Sequence, residues 1–109
     1  MISPAAAARN LSGKVMTRYR LVLECDGVPS DPGAQGAVDI TKGFAKRRWH
    51  RNARCNWDGK SLSLTVENDF DPDGRALMDE FSDEISACIR GGFGGDLRIV
   101  SVTEISQEA

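Results

Sequence analysis

A chain of 109 residues accommodates one domain and not two, and its 40% hydrophobic and 28% charged residues give the balance of a packed globule rather than of a disordered chain. A formal charge of −2 excludes the overall polybasic character that seeks nucleic acid or an anionic membrane. The three cysteines, Cys25, Cys55 and Cys88, make neither a disulfide framework nor a zinc spacing, so free thiols in a reducing cytoplasm are expected, and no apolar run is long enough to span a bilayer.

Taken in chain order, residues 1–15 hold alanines and Arg9 but no apolar core of a secretory signal. They read as an extension without structure, with Met16 as the functional start, ahead of a single domain over 16–106 and a tail at 107–109. Arg18–Cys25 alternates as a half-buried strand, with Tyr19, Leu21, Leu23 and Cys25 on one face and Arg18, Arg20, Val22 and Glu24 on the other. Asp26–Gly33 is turn punctuation. Asp31 followed by Pro32 reads as a helix cap and first position, and Ala37, Ile40, Thr41 and Phe44 recur at helical spacing, predicting a helix from about Pro32 to about Arg48.

Asp58-Gly59, between two alternating runs, predicts a two-residue hairpin. That register sets Trp57 opposite Lys60, Cys55 opposite Leu62 and Ala53 opposite Leu64, with Val66 on the same inward face. Asp71-Pro72 repeats the cap-and-proline device before Leu77, Phe81, Ile85 and Ile89 at helical spacing, and Gly91-Gly92 supplies the stop. In the last strand, Leu97–Ile105, the inward face is ambiguous between Leu97/Ile99 and Val100/Val102. The order β-α-β-β-α-β predicts an α+β, ferredoxin-like two-layer sandwich, with two helices on one face of a four-stranded antiparallel sheet.

That topology brings the basic run Lys46–Arg54 near the acidic run Glu67–Asp73, so the two are expected to neutralise each other. His50 reads as a surface histidine at a helix C-terminus, and the cysteines as core. Two candidate sites remain. The first is a glycine-rich rim at the opposite end, where Asp26, Asp31, Gly33, Trp57 and Phe93 could bind a small ligand. The second is Asp69-Phe70-Asp71-Pro72-Asp73-Gly74 with Glu80, which matches the spacing of a calcium loop. Here a strand, not a helix, enters the loop. The outer sheet face has Arg18, Arg20 and Arg54 for an anion, but its third strand has no aromatic on which an RNA base could stack.

Two resemblances add to this reading. Leu23–Pro29, Trp49-His50, Glu67–Gly74 and Asp79–Asp83 are similar to motifs of a family of small stand-alone uncharacterised bacterial proteins, which implies the same fold and no particular activity. Asp31-Pro32-Gly33 with Val38 and Ile40 resembles the loop-to-helix entry of ACT-type regulatory domains, which implies amino-acid binding at the rim. The expectation is a non-enzymatic cytoplasmic binding or interaction domain without cofactor, self-associating as a homodimer through a sheet edge, with nucleic acid and membrane not expected as partners. An ACT-like ligand sensor and a calcium-binding domain are the alternatives.

Overall fold

The structure is a computed structural model that describes residues 15–108, and their side chains from Thr17 to Ile105. The extension expected over 1–15 lies outside the described residues except for Val15. In chain order the elements are β1 (Val15–Cys25), α1 (Ser30–Ala45), β2 (Arg51–Trp57), β3 (Leu62–Asn68), α2 (Arg75–Cys88) and β4 (Leu97–Glu108). The four strands form one antiparallel sheet in the order β2-β3-β1-β4. This is the split βαβ arrangement, an α+β sandwich consistent with the ferredoxin-like class.

The core lies between the sheet and both helices. Leu21, Leu23 and Cys25 of β1 and Leu62, Leu64 and Val66 of β3 pack with Ile40 and Phe44 of α1 and Leu77, Phe81 and Ile85 of α2. Each set follows the period of its element, two for the strands and three to four for the helices. Burying side chains of this size contributes about 1.5–3 kcal/mol each.

The structure corrects four boundaries. Helix α1 starts at Ser30 and ends at Ala45, so Asp31 lies in its first turn rather than capping it. The hairpin loop is longer than predicted, because Trp57 pairs with Leu62 and Cys55 with Leu64. Asp58 causes this: its carboxylate accepts from the amides of Lys60 (2.8 Å) and Ser61 (2.7 Å), closing a wider turn. The register slips by an even number of residues, so every predicted inward side chain of the hairpin keeps its face. The last strand runs to Glu108, into the expected tail, and pairs there with Val15.

Two bulges shape the sheet. The β1–β4 register shifts beside Val22/Leu23, leaving Val100 without an opposite residue and exposed. Leu97 and Ile99 before it, and Val102 after it, all pack on the core. The two phases of apolar alternation in this strand are therefore both inward, joined by one extra residue. On β2 the register shifts between Arg51 and Arg54, and Asn52 there takes a left-handed conformation (φ 55°). This edge strand is also tied to α1: the Thr41 hydroxyl accepts from the Cys55 amide (2.9 Å) and donates to the Ala37 carbonyl (2.8 Å). Among the described residues no helix is long and apolar enough to cross a membrane.

Candidate functional site

The expected rim is largely filled by the chain itself. Gly27 has φ +71°, and its carbonyl accepts from the Gly94 amide at 2.9 Å. A Cβ on Gly27 would overlap the backbone of Gly95, so these glycines serve backbone-to-backbone packing. A Cβ on Gly33 would overlap the Trp57 indole, which occupies the space beside the start of α1. Phe93 packs against the core. Asp26 is held by Arg98 (2.9 Å) and Ser61 (3.3 Å), and its carboxyl lies below the usual range chiefly because of the Arg98 hydrogen bond. Asp31 stands apart from these, in a shallow groove with Pro29, Ser30, Pro32 and Arg90.

The four residues of the calcium pattern do not converge. Asp71 is buried, and its two oxygens accept from the amides of Ala76 (3.3 Å) and Leu77 (2.9 Å) at the start of α2. Gly74, at the cap position, is left-handed (φ 76°) and has no side chain to do this. Asp73 accepts from the Arg75 amide (3.1 Å), Asp69 is exposed, and Glu80 faces a different neighbour. Among the described residues no three His, Cys, Asp or Glu side chains stand together as a metal site.

Glu80 belongs to a cluster that the linear sequence scatters over α1's exit, the end of β3 and α2. Its Oε1 lies 2.6 Å from His50 Nε2, and its Oε2 accepts from the Trp49 indole N–H (3.0 Å) and faces Arg47 Nε (3.7 Å). Arg47 also pairs with Glu84 and lies over the Phe44 ring (4.9 Å). The His50 side chain is 0% exposed, ringed by Phe44, Trp49 and Phe70 with centroids at 5.5, 6.0 and 5.9 Å. The expected surface histidine is thus a correction. The turn after α1, closed by the His50 amide on the Arg47 carbonyl (3.1 Å), folds the imidazole inward over Phe44.

The Nδ1 edge of the imidazole meets Asn68, whose Nδ2 is 3.4 Å from that nitrogen. The Asn68 oxygen accepts from the amides of Phe70 (3.3 Å) and Asp71 (3.1 Å), so its amino group necessarily points at the ring. Both ring nitrogens are therefore engaged, Nε2 by Glu80 and Nδ1 by Asn68.

Over this buried frame stand Trp49, 50% exposed, and Phe70, 45% exposed, two of the four large hydrophobics at the surface of the described residues. The two charge runs do not pair with each other in ion pairs among the described residues. Arg47 is neutralised, but by Glu80 and Glu84 inside α2 rather than by the acidic loop. Lys46, Arg48 and Arg51, beside Trp49 in sequence, are exposed and have no ion pair among the described residues. On the outer sheet face Glu67 takes Arg20 (3.1 Å) and Asn52 (3.1 Å), which neutralises one of the three arginines expected to hold an anion.

The thiols fit the core reading: burial pushes Cys25 up to about 11 and Cys55 up to about 12, and burial also raises Cys88. Comparison of the chain with family models, with curated proteins and with solved structures finds no match.

Proposed function

We propose that the protein is a non-enzymatic binding domain that takes a partner polypeptide on the Trp49–Phe70 face. The observation that carries this reading is the pairing of exposure with rigidity. Trp49 and Phe70 are half-exposed, yet Trp49 is fixed by its indole bond to Glu80, and both rings rest on the same buried imidazole. Large apolar rings that are already immobile lose little entropy on binding, which is what makes them anchors of interfaces. The unpaired Lys46, Arg48 and Arg51 beside them favour an acidic segment carrying an apolar anchor of its own. The stretches that resemble the bacterial family, Trp49-His50, Glu67–Gly74 and Asp79–Asp83, include most of this cluster.

Selection of a random peptide library on the immobilised chain tests the proposal. Acidic peptides with an apolar residue should enrich, and their binding should weaken with salt. Trp49→Ala or Phe70→Ala should reduce it by about 2 kcal/mol or more, a thirtyfold effect. Enrichment that is the same on wild type and on both variants, or no enrichment at all, would overturn the assignment.

A further inference from the structure

The contact between His50 and Asn68 has a directional consequence. Because the Asn68 oxygen is held by the Phe70 and Asp71 amides, the group it turns to His50 Nδ1 is a donor. Nδ1 must therefore carry its lone pair, and the ring hydrogen sits on Nε2, toward Glu80 Oε1 at 2.6 Å. We infer that proton uptake by His50 is a latch on the 68–71 segment: a second proton, on Nδ1, sets N–H against N–H, and relief requires Asn68 to turn its oxygen to the ring and release the amides of Phe70 and Asp71.

The release would travel in both directions. Phe70 is one of the two exposed anchors, and Asp71 holds the first turn of α2 through Ala76 and Leu77. The charged group against the imidazole is Glu80 of α2, at Nε2, and Arg47, at the exit of α1, is in turn paired with Glu80 and Glu84. Phe44, Trp49 and Phe70 exclude water, and Asn68 stands between the ring and the buried Asp71.

The latch rests on the proposed binding face only for its use, not for its chemistry, so the two are tested apart. In an NMR titration of the full chain from pH 8 to pH 5, the His50 ring signals, the Asn68 side-chain amide and the backbone amides of Phe70 and Asp71 should move with one midpoint. Asn68→Asp offers an oxygen to both sides. In that variant proton uptake should move to higher pH, and the Phe70 and Asp71 amides should stop following it. Asn68, Phe70 and Asp71 signals that stay fixed while His50 titrates would overturn the inference, as would a ring that takes up no proton by pH 5. The wild-type titration decides this even if the variant does not fold, and peptide binding at fixed pH 8 is unaffected by its outcome.

Discussion

Asp71 does a capping residue's job from well outside the cap position. Gly74 occupies that position in a left-handed conformation, and the turn it makes brings the Asp71 carboxylate back over the amides of Ala76 and Leu77. Asp71→Ala should therefore cost about 1–2 kcal/mol in a urea titration, the upper range of a lost cap, because the residue is buried as well. Asp71→Asn keeps one acceptor and should lose less. Gly33 makes a different kind of demand, since any Cβ there meets the Trp57 indole. Gly33→Ala should destabilise by about 1–3 kcal/mol through overpacking, with a change in the near-UV spectrum of the displaced indole. Residues like these are half legible in a sequence. The capping role of Asp71 was visible, though its place was not: Asp71-Pro72 reads as cap and first helical residue, whereas the helix starts at Arg75 behind Gly74. The role of Gly33 was not visible, because what excludes a side chain there is Trp57, from a different element.

At the scale of elements, local periodicity located all six, and the failures were those of boundary and register. The hairpin slipped because Asp58 closes its turn on Ser61 as well as Lys60. The error preserved the buried face because burial fixes parity, not offset. In β4 the sequence showed two inward phases, and only pairing with β1 shows that Val100 is the residue between them. Deletion of Val100 leaves Leu97, Arg98, Ile99, Ser101 and Val102 in unbroken alternation, so that variant should keep a single cooperative unfolding transition. Deletion of Val22 in β1 turns Leu23 and Cys25 away from the core relative to Leu21, and should abolish that transition. Circular dichroism followed through a thermal ramp separates the two outcomes. The cluster around His50 was not legible for a similar reason at longer range. Arg47 and His50 come from the turn after α1, Asn68 from the end of β3 and Glu80 from α2, and each has an ordinary local meaning as a helix-end base, a turn residue or a helix acid.

For the whole molecule, the charge and thiol environments predict opposite arms of one pH profile. Asp26 is held below the carboxylate range first by Arg98, and Asp58 first by the Ser61 and then the Lys60 amide. A carboxyl that is more acidic folded than unfolded contributes stability above its unfolded pKa, and loses it as pH falls through the folded value. Both groups lie beside Ser61, whose hydroxyl reaches Asp26 and whose amide reaches Asp58, so acid should loosen the β2–β3 hairpin end together with the β1 exit. Asp26→Asn should flatten the acid arm of the urea midpoint plotted against pH. The alkaline arm has the other sign. Burial raises Cys25 to about 11 and Cys55 to about 12 from an unfolded value of 9.0. Below that unfolded value both states keep their protons and the thiols give no slope. Above it the unfolded chain ionises first, so stability should fall steadily through the interval up to the folded values. Cys55, the thiol that burial raises further and whose amide is linked to Thr41 of α1, should dominate. Cys55→Ala lowers stability at neutral pH by leaving a small cavity, yet its alkaline slope should be the shallower one. An unchanged slope in that variant would mean that the thiol is not buried between α1 and the sheet, and with it the packing of the β2 edge would need to be redrawn.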